Sequence, residues 1–121
     1  MSWDVLFHGE FDVEFRALPA DVQVELLARL TVLANFGPSV GRPTVDTLKG
    51  SSFQNMKEIR FNQDGVWRFA FAFNPQSKAI VLCGGDKEGE DSDAFYKELI
   101  ERADKRFASH IEAIKKIRSQ R

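Results

Sequence analysis

KEIRFNQDGVWRFAFAF, residues 57–73, decides the fold. Side chains along a strand alternate between faces, so Val66 to Phe73 sorts into Trp67, Phe69, Phe71 and Phe73 on one side and Arg68, Ala70 and Ala72 on the other. Leaving those aromatics in water would forfeit about 2 kcal/mol or more each, so their side must pack on helices. The alanine side is then expected to face outward as the floor of a groove. NQDG is a turn composition and separates this strand from the one before it. A two-residue loop, Asp64 and Gly65, would set Phe61 opposite Arg68 and put an aromatic on the polar face. A three-residue loop, Gln63 to Gly65 with Gly65 in the left-handed position, pairs Phe61 with Trp67 and Ile59 with Phe69 instead. That register is the expected one, and it sets Arg60 across from Arg68 with Glu58 beside Ala70.

Outward from this hairpin, Phe53 to Phe61, Val66 to Phe73 and Ala79 to Leu82 form a three-stranded meander, the second turn being NPQSK. An earlier strand is expected over Trp3 to His8. A short amphipathic helix over Glu10 to Leu18 ends at Pro19. Ala20 to Phe36 then places Val22, Leu26, Leu27, Leu30, Leu33 and Phe36 at helical spacing before Gly37, completing a helical hairpin. Gly37 to Ser51 shows no periodicity and reads as a surface connection. From Ser92 onward Phe95, Leu99, Ala103, Phe107, Ile111 and Ile114 recur every three or four residues, with Asp91 or Ser92 as N-cap and Asp93 in the first turn, so a long terminal helix follows. The expected fold is α+β, a small antiparallel sheet packed on an N-terminal helical hairpin and a C-terminal helix. With 121 residues, no internal repeat and no linker, residues 1–121 are expected to make one domain.

The net charge of −1 neither demands nor excludes a polyanionic partner, so a nucleic-acid site would have to come from local clustering. One such cluster is the C-terminal stretch with Lys105, Arg106, Lys115, Lys116, Arg118 and Arg121 against Glu112. Lone Cys83 cannot form an internal disulfide, which fits a reducing compartment. No apolar run reaches the roughly 18 residues of a membrane span, and MSWDVLFHGEFD lacks the regions of a signal peptide, so a cytoplasmic protein without a membrane partner is expected.

Like charges opposite each other destabilise a sheet, so Arg60 and Arg68 are either screened by Glu58 and solvent or bridged by an anion. Alternation puts Lys57 on the side of Ile59 and Phe61, so it reaches the groove only across the strand end or through a bulge. In CGGDKEGED, residues 83–91, glycines flank Asp86 and Lys87 just before a helix, a place where backbone N–H groups can meet a phosphate; this is no Walker pattern. Lys87 and Tyr96 reach the sheet floor if that loop folds back over it. His8, His110 and Cys83 lie far apart, and no short histidine-carboxylate motif suggests a metal site. There is no nucleophile-elbow signature.

The order of elements, together with KEIRF, GVWRFAFAF, IVLCGGDKEG and FYKELIERAD, resembles the RelE/ParE toxin superfamily over nearly the whole chain, and most nearly its HigB-like, phage-derived branch. The resemblance implies a toxin of a type II toxin-antitoxin system: a ribosome-dependent mRNA endoribonuclease in which a 2′-hydroxyl attacks the adjacent phosphate without metal or cofactor. It implies that Arg60 and Arg68 neutralise the scissile phosphate and that Lys87 assists or protonates the leaving 5′-oxygen. Tyr96 matches an aromatic-hydroxyl position as acid or base, with Lys57, Glu58 and Asp86 as substrate-binding neighbours. Relatives of the RelE kind carry several lysines on the second strand where this chain has Lys57 and Glu58. Glu58 would serve as a base only with a raised pKa, which two neighbouring arginines should oppose, so its expected role is to orient them. The implied partners are a helix-turn-helix antitoxin, operator DNA reached only through that antitoxin, the ribosome and mRNA. A ParE-like inhibitor that binds DNA gyrase without chemistry is the alternative, and a decayed phage protein that keeps only the fold is a third.

Overall fold

The computed structural model describes residues 2–120. The elements run β1 (Val5–Phe7), α1 (Gly9–Arg16), α2 (Ala20–Phe36), a 3-10 turn at Gly37–Ser39, β2 (Val45–Thr47), β3 (Lys57–Asn62), β4 (Val66–Phe73), β5 (Ala79–Asp86) and α3 (Ser92–Ser119). The sheet order is β1-β5-β4-β3-β2. The α+β arrangement of a sheet on a helical hairpin and a terminal helix holds. The sheet itself is mixed rather than wholly antiparallel, because β1 pairs with β5 in parallel while β2 to β5 alternate in direction. After β1 the helices carry the chain to the far edge, and the meander returns it beside β1 running the same way.

The hairpin register is the expected one: Phe61 faces Trp67, Arg60 faces Arg68 and Glu58 faces Ala70. Its turn differs in one detail. Asp64 takes the left-handed conformation at φ 47°, and Gly65 sits at φ 158°. Aspartate tolerates that region, whereas Gly65 is required for another reason. A Cβ there would lie 2.7 Å from the Asp86 carboxylate, which accepts the Val66 and Glu88 N–H groups at 2.9 Å each.

Helices cover both faces of the sheet. Phe11 of α1 and Val22, Leu26, Leu30 and Leu33 of α2 bury against Ile59, Phe61, Trp67, Phe69, Phe71 and Val81. On the opposite face Ala70, Ala72, Ile80, Leu82 and Cys83 meet Leu99, Ala103 and Phe107 of α3. This corrects the expected open alanine floor: Ala70 and Ala72 are fully buried beneath α3. Small side chains let the helix approach closely, and the apolar stripe of α3 has no other surface to cover. Leu82 is the extra residue of a bulge, since Cys83 faces Ala70 while Val81 faces Phe71; both Leu82 and Cys83 therefore turn toward α3. No helix among the described residues is long and apolar enough to cross a membrane. Arg121, the last cation of the basic stretch, lies outside the described residues.

Candidate functional site

At the hairpin end of the sheet Arg60 and Arg68 face each other across β3 and β4, Arg60 partly exposed and Arg68 buried. Beside that pair runs a second row, in which Asp46 of β2 faces Glu58 of β3 and Glu58 faces Ala70 of β4. Two arginines in one row and two carboxylates in the next place unlike charges on the diagonals. Glu58 lies 3.7 Å from Arg68 Nε, and Asp46 lies 3.4 Å from Arg60 Nη1.

α3 supplies the group that locks the first diagonal. Its N-terminus is set by Asp91, whose carboxylate accepts the Ala94 N–H at 3.0 Å, and this positions Tyr96 over the sheet. Tyr96 Oη donates to Glu58 Oε1 at 2.9 Å and accepts from Arg68 Nε at 3.2 Å. Arg68 Nη1 also donates to the carbonyl of Trp67 at 2.9 Å. The Arg68 and Glu58 side chains are only 9% and 8% exposed, so their orientation is fixed by the protein rather than by solvent. Lys87 Nζ stands 5.8 Å above the Tyr96 ring, and its backbone N–H donates to the Val66 carbonyl at 2.7 Å, which ties the loop after β5 to the hairpin. The loop does fold back toward the sheet.

Arg60, Arg68, Phe61 and Asn62 line an open concavity of about 610 Å³ together with Arg42 and Pro43. Burial pushes the Glu58 carboxyl above its ordinary value, with nearby Asp46 adding to the rise. The hydrogen bond from Tyr96 and the charges of Arg60 and Arg68 oppose it without prevailing. The expectation that two arginines would lower this pKa is thus corrected: desolvation between β2, β4 and α3 wins. The Tyr96 phenol is raised as well, first by burial, then by the adjacent carboxylate, against the hydrogen bond from Arg68. Chemically the arrangement offers guanidinium groups for an anion and, joined to Arg68, a carboxylate of raised pKa bonded to a phenol.

Of the residues singled out in the sequence, Glu58, Arg60, Arg68, Lys87 and Tyr96 come together. Asp86 stands nearby as a structural group, holding the hairpin turn and its own loop. Lys57 does not join them: it pairs with Phe71, and its Nζ donates to Thr47 Oγ1 at 3.4 Å on the far side of the alternation. Gly84 and Gly85 are strand residues with packing reasons of their own. A Cβ on Gly84 would clash with the edge of the Phe69 ring, and one on Gly85 would come 3.3 Å from Phe95. Arg42 and Asp46 were not anticipated. They sit in the aperiodic stretch Gly37 to Ser51, where three residues of strand are too short to leave a pattern; the β-branched Val45 and Thr47 flanking Asp46 were the only sign.

The family model described as "Phage derived protein Gp49-like (DUF891)" matches residues 13–108. Two relatives from Mycobacterium tuberculosis carry the names "Putative toxin HigB2" and "Putative toxin HigB3". The first is 42% identical over 88 residues, 71% of this chain and 43% of the relative. The second is 43% identical over 75 residues, 62% of this chain and 65% of the relative. The matched segment thus spans less than two thirds of either relative. A mutant of the E. coli toxin RelE in the free state has the same fold, with a TM-score of 0.61 at 18% identity, over 84% of this chain and 98% of that one. The chain belongs to the phage-derived, Gp49-like family.

Proposed function

We propose that this chain is the toxin of a type II toxin-antitoxin system and inhibits translation by cutting mRNA on the ribosome, without metal or cofactor. The observation that carries the reading is the pair Arg60 and Arg68, opposed across two strands and lining one concavity, with the Glu58–Tyr96 couple joined to Arg68 behind it. A binding surface for a protein would gain little from two like charges held face to face, whereas a phosphate satisfies both.

In the reaction the 2′-oxygen bonds to the adjacent phosphorus and the bond from phosphorus to the 5′-oxygen breaks. Tyr96 Oη takes the 2′-hydroxyl proton as its own passes to Glu58. Arg60 and Arg68 offset the charge that builds on the phosphoryl oxygens in the transition state. Lys87 returns a proton to the leaving 5′-oxygen, so the products are a 2′,3′-cyclic phosphate and a 5′-hydroxyl. Asp86 keeps Lys87 in place, and Lys57, on the other side of the strand, contacts the substrate only at its periphery. The site is closed in the resting cell by a helix-turn-helix antitoxin, through which alone the pair reaches operator DNA. The compartment is the cytoplasm, where ribosomes and mRNA are.

Expression of the chain alone arrests growth, and Arg68→Ala relieves the arrest. Mapping the 5′ ends of cellular mRNA after induction then shows new 5′-hydroxyl ends with the wild-type chain and none with the variant. Intact mRNA accompanied by DNA damage overturns this reading in favour of a gyrase-binding inhibitor.

A further inference from the structure

Arg60 and Arg68 each face a carboxylate, and the two pairs are built differently. The Glu58–Arg68 pair is sealed beneath α3 and latched by Tyr96. The Asp46–Arg60 pair is open, with side chains 32% and 28% exposed, and its 3.4 Å separation is longer than a strong charge-assisted hydrogen bond. The same Asp46 oxygen, Oδ2, also faces Arg42 Nε at 3.5 Å, and the Arg42 side chain is 74% exposed. One oxygen shared at such distances satisfies neither guanidinium. Asp46 cannot collapse onto either cation, because its other oxygen accepts the Thr47 N–H at 2.8 Å. It also faces Glu58 directly across β2 and β3, a like-charge pairing that weakens its seat. Arg42, Arg60 and Arg68 all line the concavity, so the loosest anion in the cluster stands beside the cations that an incoming phosphate needs.

We propose that Asp46 is a displaceable counter-ion: it holds Arg42 and Arg60 at the concavity in the free protein and yields both to a phosphodiester of the RNA backbone. Arg42 is then a substrate-contacting residue, and Asp46 sets the affinity. This rests on the RNA reading above. Two planar guanidinium groups released together offer donors to both non-bridging oxygens of a phosphodiester and a second positive charge beside them.

The test measures binding of the full chain to fluorescein-labelled 2′-O-methyl hexauridylate, which has the phosphodiesters but no free 2′-hydroxyl to react, by anisotropy across a series of salt concentrations. Asp46→Asn binds roughly threefold to tenfold tighter, the scale of releasing two loose surface pairs. Its plot of log K against log salt keeps the wild-type slope, because the same phosphate contacts form once Asp46 has yielded. Asp12→Asn, which removes the same charge and likewise frees an arginine, Arg16, on α1, changes neither quantity. Adding Arg42→Ala to Asp46→Asn abolishes most of the gain. Unchanged thermal melting of Asp46→Asn shows that the fold is kept, since asparagine can still accept the Thr47 N–H. Wild-type affinity in Asp46→Asn, or an equal gain from Asp12→Asn, overturns the counter-ion proposal alone. Failure of every variant, wild type included, to bind the oligonucleotide overturns the RNA reading and this proposal together.

Discussion

Glu58 is where burial and charge compete most directly. Two arginines pull its pKa down and a dry position pushes it up, and the dry position wins. From the sequence only the arginines were visible, because a strand pattern shows which residues share a face but not that a helix 38 residues further on will seal it. A carboxyl raised in this way makes opposite demands on stability and on chemistry. Its contribution to stability is fully present below the ordinary value of 4.5 and is lost as pH rises through the raised one, whereas a general base acts only once it is ionised. The expected kcat/KM for RNA cleavage therefore rises with pH along a limb lying above 4.5. Tyr96→Phe removes the hydrogen bond that favours the ionised carboxylate, so that limb moves to still higher pH while the plateau falls by about 100-fold or more. A pH–rate profile of the purified chain on a ribosome-bound message reads both effects. An unmoved limb in Tyr96→Phe counts against the coupled pair, and an undiminished plateau counts against the phenol as proton carrier.

Strands and helices were legible to different depths. The β3–β4 register followed from the demand that aromatics share a side, and the same demand set Arg60 opposite Arg68. β2 was illegible because three residues carry no period, and with it went Asp46 and the fourth corner of the charge cluster. The covering of Ala70 and Ala72 was hidden for a different reason: alternation separates the faces of a sheet without saying which face a distant helix takes. Gly84 shows how that blindness extends to glycines, since a place beside Asp86 and Lys87 suggested phosphate binding while the structure gives it packing against Phe69. Gly84→Ala must displace a fully buried ring and is expected to cost about 1–3 kcal/mol, as overpacked cores do. Gly85→Ala, whose Cβ would come 3.3 Å from the half-buried Phe95, is expected to cost less than half as much. Urea denaturation of the two variants orders them; equal losses would mean that both glycines serve the backbone rather than the space around it.

Across the whole molecule, α1 and α3 lie on opposite faces of the sheet, and Arg106 ties them together. Only 8% of its side chain is exposed; Nη1 donates to the Leu82 carbonyl at 2.7 Å and to Glu14 Oε1 at 2.8 Å, while Nη2 meets the other Glu14 oxygen. The bulge makes Leu82 the unmatched residue of β5, so one side chain from α3 serves both that carbonyl and the carboxylate of α1. In the sequence Arg106 read as one more cation of a basic tail, and nothing in its neighbourhood marked it as an anchor. Replacing it by methionine, which keeps the apolar stem, leaves the Leu82 carbonyl without its donor and is expected to cost about 2 kcal/mol, moderated by the solvent that reaches Glu14. The pH dependence identifies the cause. The hydrogen bond from Arg106 is the foremost reason that the Glu14 carboxyl lies below its ordinary 4.5, so the stability it brings is present above that value and is lost as pH falls through the lowered one. The urea midpoints of wild type and Arg106→Met should therefore stand farthest apart near neutrality and converge as the solution is acidified past 4.5. A gap that stays constant over that range would assign the loss to packing and to the Leu82 carbonyl, and would remove the ion pair from the account of what joins the two helical layers.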